Sequence, residues 1–239
     1  MPSLDRLISA TRKAVDERRA ARPLSELEQV VAALPPIRPF TEAVVGEEIS
    51  FVLQADAFHA RLLEQCEDAE IAGLCLPLER VGDGDASGLP VLLADVVVDR
   101  YQLYESRAAG ADGVVLIIAA FDDEGEALSE LYGEAADIGL DVLLEVGHED
   151  EIEWSMEQLD PDSFVIRNSD GDGGADLERT FSLLEEVPAG IVVVSAGGVR
   201  DREEVRALER SGVDAVILDP WVISEDVAEV VRVLRGDAR

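Results

Sequence analysis

Residues 88–118 read GLPVLLADVVVDRYQLYESRAAGADGVVLII. Val91 to Leu93 is an apolar run too short for a helix. Tyr101 to Ala109 has helical periodicity, and Val114 to Ile118 is a second unbroken apolar run. Strand, helix and strand in so short a span make one parallel crossover unit. Runs that are apolar at every position are buried on both faces, as in a parallel sheet covered by helices.

The alternation continues in both directions. Ile49–Leu53 and Ile71–Leu76 come before it; Val142–Val146, Phe164–Ile166, Ile191–Val194 and Ala215–Leu218 follow. Helical patterns such as Asp201–Ser211 lie between most of them. Eight strands with helical crossovers in about 170 residues fit a closed (β/α)8 TIM barrel better than an open sheet. No Gly-x-Gly-x-x-Gly follows the first strand, so the mark of a dinucleotide site is missing.

One crossover is abnormal. Residues 79–88, ERVGDGDASG, hold three glycines and no apolar stripe. The second crossover helix is therefore predicted to be shortened or missing, reduced to a loop or a single turn that leaves a gap in the outer ring. Residues 1–45 read as an N-terminal helical extension and residues 46–239 as the barrel, together one structural domain. In the extension Leu4, Ile8 and Val15 recur at helical spacing, and a second pattern from Leu24 to Leu34 stops at Pro35-Pro36.

A hydrophobic fraction of 47% supplies a substantial core. The 52 acidic and 20 basic residues give a net charge of -32, which repels nucleic acid and anionic membranes. Lys13 is the only lysine. A high-salt cytoplasm, where screening relieves self-repulsion, accounts for this balance, and so does a GC-rich genome that replaces lysine with arginine. Cys66 and Cys75 form neither a disulfide framework nor a metal motif. The N-terminus has no apolar signal core and no run approaches membrane-spanning length, so a cytoplasmic location is expected. No cofactor and no metal site are expected.

The third unit resembles a known family. Pro90-Val91-Leu92-Leu93-Ala94-Asp95, followed by Asp99-Arg100-Tyr101-Gln102-Leu103-Tyr104-Glu105-Ser106-Arg107 and Gly110-Ala111-Asp112, is similar to the third strand and helix of indole-3-glycerol phosphate synthase. That family reads Pro-Val-Leu-Arg-Lys-Asp-Phe, then Asp-Pro-Tyr-Gln-x-Tyr-Glu-Ala-Arg-x-x-Gly-Ala-Asp. Arg22-Pro23-Leu24, Arg38-Pro39-Phe40, Gly139 to Val146, Ser195 to Val199 and Gly212 to Val216 extend the resemblance over most of the chain. It implies a ring-closing decarboxylation and dehydration of a carboxyphenylamino-deoxyribulose phosphate in tryptophan biosynthesis. That chemistry needs an ammonium acid, a carboxylate partner and a cradle of amide donors for phosphate.

Matched position by position, the family's first-strand Glu-x-Lys falls on Gln54, Ala55 and Asp56, and its third-strand lysine on Ala94. The seventh-strand glutamate falls on Ala196, and the phosphate-binding Gly-Ser of the eighth strand on Asp219-Pro220. Arginine does not replace a lysine acid, because its pKa is too high for it to release a proton. Glu145 keeps its place at the end of the fifth strand. Arg167, Asn168 and Gly198 are carried over as substrate-binding positions.

Three readings follow: a diverged non-catalytic binding or regulatory barrel, a different enzyme using Glu145 with Asp56 or His59 as acid–base groups, and a synthase of altered mechanism. The expected partners are a small molecule at the barrel mouth and tryptophan-pathway enzymes. Asp56, Asp95, Glu145, Asp170 and Asp219 ring the mouth, but no two stand at a recognised metal-ligand spacing. The stretch from Ser169 to Asp176 lacks the terminal glutamate of a calcium loop and reads as the sixth loop. His148 is expected at a helix start, Lys13 on a solvated helix face, and Trp154 and Trp221 packed on helices. Phe58 and Arg167 are the side chains expected to plug the mouth if it is closed.

Overall fold

The computed structural model describes residues 3–56, 59–84, 87–121, 125–168 and 174–236. Three helices lead in: α1 (Leu4–Ala21), α2 (Leu24–Val31) and α3 (Phe40–Val44). The barrel then runs through β1 (Ser50–Gln54), α4 (Ala60–Asp68), β2 (Gly73–Leu76), α5 (Leu78–Gly84), β3 (Val91–Leu93), α6 (Arg100–Ala109) and β4 (Gly113–Ile117). A 3-10 turn at Ile118–Phe121 leads into α7 (Gly125–Asp137), β5 (Asp141–Val146), α8 (Glu149–Gln158) and β6 (Ser163–Arg167). The chain continues with α9 (Glu178–Leu184), β7 (Val192–Ala196), α10 (Arg202–Ser211) and β8 (Ala215–Leu218). A second 3-10 turn, Pro220–Ser224, precedes α11 (Val227–Arg235). All eight apolar runs of the sequence are strands. They close in chain order, every pair parallel, with β8 against β1.

Side chains alternate along each strand, so the barrel has two cores. Outward residues such as Phe51, Leu74, Leu116 and Phe164 pack under the helices. Inward residues Val52, Cys75, Leu92, Val115, Leu143, Val165, Val194 and Ile217 fill the barrel. Phe40 and Val44 of α3, both fully buried, join the inner core and close its N-terminal end. Gly73 makes that possible, because a Cβ there would sit 2.7 Å from the Phe40 ring. The extension is thus partly barrel core, and α2 packs on α6. Its ionic ties are Arg18 to Glu105, Arg19 to Asp99 and Arg38 to the buried Asp112.

The second crossover corrects the expectation of a loop or single turn. It is a shortened helix, α5, seven residues long. The Asp95 carboxylate accepts the Leu78 N–H at 3.0 Å, the Pro77 carbonyl accepts from Arg80 and Val81, and Val81 is fully buried. Gly84 serves close approach. A Cβ there would lie 2.8 Å from Val91 and 2.9 Å from Leu76, so the missing side chain lets the helix end lie on the sheet. No helix among the described residues is long and apolar enough to cross a membrane.

Candidate functional site

In a barrel of this kind the C-terminal strand ends carry the functional groups. Here two layers of inward side chains meet. Cys75, Val115, Val165 and Ile217, from even-numbered strands, form a floor; Gln54, Ala94, Glu145 and Ala196, from odd-numbered strands, form the layer above. Two of those four upper positions are alanine, which on its own would leave a hole. Arg167 of β6 stands beside that gap without filling it, since Ala94 stays exposed and the Arg167 side chain is 45% exposed. Its guanidinium lies across the mouth and forks onto Glu145 of β5, Nε to Oε1 at 2.8 Å and Nη2 to Oε2 at 2.5 Å. The cavity lined by these side chains has a volume of about 30 Å³.

The electrostatics agree with a fixed pair. Burial draws the Arg167 guanidinium down, but the hydrogen bonds and charge of Glu145 outweigh it and hold the group above its ordinary value. Glu145 is buried at 9% exposure, while the Arg167 side chain keeps 45%, so the arginine is the lid and the glutamate its seat. Beneath them burial pushes the Cys75 thiol up to about 12, which keeps it protonated.

The next loops are also self-satisfied. Gly197 and Gly198 follow β7 at φ +78° and +91°, left-handed conformations that suit glycine. The Asp219 carboxylate, just after β8, accepts the Gly198 N–H at 2.9 Å, and a Cβ on Gly197 would collide with it at 2.8 Å. An internal carboxylate therefore holds the amide that this loop presents. Asp95 is turned toward α5; burial raises its carboxyl above the usual range, partly offset by the Leu78 N–H. Asp95, Glu145 and Asp219 thus serve separate local partners, and among the described residues no three His, Cys, Asp or Glu side chains gather as a metal site.

The family model for indole-3-glycerol phosphate synthase matches residues 72–234, more than half of the chain. The chain belongs to the indole-3-glycerol phosphate synthase family. Among curated proteins it is 28% identical to the synthase of Leuconostoc mesenteroides, covering 98% of this chain and 99% of that one. It is 27% identical to the synthase of a Thermoanaerobacter species, covering 90% of each. Solved structures share the fold: the tryptophan synthase α-subunit of Pyrococcus furiosus has a TM-score of 0.59 at 15% identity, covering 80% of this chain and 99% of that chain. A protein described as an aldolase has a TM-score of 0.60 at 17% identity, covering 77% of this chain and 94% of that one.

Within this member of the indole-3-glycerol phosphate synthase family, the residues singled out from sequence are only partly brought together. Glu145 and Arg167 meet. Asp56 is exposed just beyond β1, and neither it nor His59 is among the residues lining the cavity beside the Arg167–Glu145 pair. His59 is the N-cap of α4, its Nδ1 accepting the Leu62 N–H at 3.1 Å. His148 is the N-cap of α8, and Lys13 stands on a solvated face near Glu17. Trp154 packs half-buried against Gly125, but Trp221 is 44% exposed on the turn after β8 rather than packed on a helix. Phe58, Asp170 and the stretch from Ser169 to Gly173 lie outside the described residues.

Asn168 is fully buried in a polar knot that sequence reasoning missed. Its Nδ2 donates to Ser195 Oγ at 2.9 Å and to the Gly197 carbonyl at 3.0 Å, and its Oδ1 accepts from Thr180 Oγ1 at 2.7 Å. The knot ties the end of β6 to α9 and to the loop after β7. The only signal for it in the sequence is a serine set in the apolar run of β7.

Proposed function

We propose that this barrel is a diverged family member that has lost the decarboxylating ring closure and works in the cytoplasm as a non-catalytic binding or regulatory protein. The observation that carries this reading is the Arg167–Glu145 fork, which pairs the family's retained glutamate with an internal arginine beside a cavity of about 30 Å³. The family's retained acid position is occupied by an internal partner, so a substrate carboxylate or carbonyl would first have to break a two-point charge-assisted contact.

Three further features support it. Ala94 and Ala196 stand where the resemblance puts the principal acid and a glutamate, and neither has a proton to give. The one lysine is on the exposed face of α1. Asp219 sets a carboxylate against the amide that a phosphate would need, and a phosphate dianion there would meet like charge. The partner class suggested by family membership is the other enzymes of tryptophan biosynthesis. Exposed Trp221 beside the mouth offers an anchor of the type that interfaces favour.

A thermal-shift series in high salt tests this reading, with the parent substrate, indole-3-glycerol phosphate and inorganic phosphate. The expected result is no upward shift with any of them at millimolar concentration. A saturable shift with the substrate or product would overturn it, since a ligand that binds only the folded state must stabilise it.

A further inference from the structure

A second concavity, separate from the barrel interior, lies between the Ile118–Phe121 turn, the start of α7 and the start of α8. Its volume is about 530 Å³, within the roughly 300–1,000 Å³ range of small-molecule sites. The inner wall is apolar and aromatic: Phe121 and Leu128 are almost fully buried, and Ile118 and Trp154 are half-buried. Gly125 keeps the space beside the indole free, because a Cβ there would press on Trp154 at 3.1 Å. The rim is polar, formed by His148, Asp150 and Glu151.

The two rim carboxylates differ. Glu151 is taken, accepting the Gly147 N–H at 2.6 Å and the His148 N–H at 3.1 Å. Asp150 is exposed and has no hydrogen bond or ion pair among the described residues. A helix start carries about half a positive charge, which by itself would attract anions. Glu149, Asp150 and Glu151 in the first turn of α8 outweigh it, and the chain's net charge of -32 adds to the same sign. Among the described residues, the cleft therefore joins an aromatic wall to a negative rim on which the Asp150 carboxylate has no internal partner.

We propose that this cleft binds a small primary amine with a flat apolar body, its ring against Trp154 and Phe121 and its ammonium at Asp150. Charge complementarity selects the amine, and contact with the half-buried Trp154 ring selects its flat apolar body. The inference does not depend on how the barrel mouth is used.

The test is a titration of the full chain with 2-phenylethylamine at ~0.15 M salt, where surface charge is screened beyond about 8 Å. The neutral 2-phenylethanol and the anionic 3-phenylpropionate serve as shape-matched controls. Trp221→Phe leaves Trp154 as the single fluorescent reporter, and calorimetry supplies an independent readout. The amine is expected to bind with a Kd on the order of 1 mM or tighter, the alcohol about fivefold more weakly, and the propionate not at all. Asp150→Asn, at an exposed position, should bring the amine down to the alcohol's affinity and leave the alcohol unchanged. Gly125→Val should abolish both by filling the space beside Trp154. Equal binding of all three compounds, no amine binding at 10 mM (about ten times that Kd), or an Asp150→Asn variant with unchanged amine affinity would each overturn the proposal.

Discussion

Arg167 on β6 and Glu145 on β5 share two parallel hydrogen bonds across the mouth of the barrel, at 2.8 and 2.5 Å. The pair lines the same small cavity as Ala94 and Ala196, with Ala94 still exposed beside it. Removing either partner leaves the other charge without its match. Glu145→Ala or Arg167→Ala is expected to cost about 1–3 kcal/mol, less than for a fully buried pair because the arginine side chain is 45% exposed. A double-mutant cycle by urea denaturation checks this, with a coupling energy of about 1 kcal/mol or more expected. Additive single effects would show that the two side chains do not act as a unit.

The Asn168 knot sets a larger structural expectation. Asn168→Ala takes one partner from each of the buried Thr180 and Ser195 hydroxyls, which keep their 3.0 Å contact with one another, and removes the side-chain donor of the part-buried Gly197 carbonyl. The cost should be about 2–4 kcal/mol, read as a fall in the denaturation midpoint with little change in slope. A loss below about 0.5 kcal/mol would mean that water replaces the amide without difficulty.

Asp95 gives a pH dependence with a definite sign. Burial raises its carboxyl above the ordinary value, so its ionised form costs folding stability at neutral pH. That cost disappears as the pH falls below the unfolded carboxyl's value, where the group is protonated in both states. Asp95→Asn keeps an acceptor for the Leu78 N–H and removes the charge. It should raise Tm by about 2 °C at pH 7, and the gain should shrink toward zero near pH 3–4. A gain that persists at low pH would assign the effect to something other than the carboxylate.

How far these features can be read from the chain depends on whether the information is local. All eight strands were legible because buried parallel strands are unbroken apolar runs, and the extension was legible from its helical spacing and its prolines. The length of α5 was not, because Gly84 is needed for its close approach to Val91 and Leu76, which only the folded sheet places opposite it. The retained position of Glu145 could be read by matching motifs. Its partner depended on which inward layer Arg167 reaches, a property of strand register. Asp219 was legible as a misplaced charge, but its acceptance of the Gly198 N–H required two loops to be set side by side.

The charge balance separates its two explanations in a salt series. With 52 acidic and 20 basic residues, a protein adapted to high salt should gain about 10 °C or more in Tm between 0.1 and 2 M NaCl, as screening removes long-range repulsion. An unchanged Tm would leave only the replacement of lysine by arginine through genome composition.

The proposed loss of ring-closing chemistry is tested by one assay. Purified protein, in the salt at which it is most stable, is mixed with the carboxyphenylamino-deoxyribulose phosphate, and formation of indole-3-glycerol phosphate is followed beside an active synthase. The expected result is no product above the rate without protein, for the chain as it stands and for Arg167→Ala alike, since opening the lid restores neither acid nor phosphate cradle. Turnover by the unmodified chain at ordinary enzyme rates, on the order of 1 s⁻¹ or faster, would contradict this.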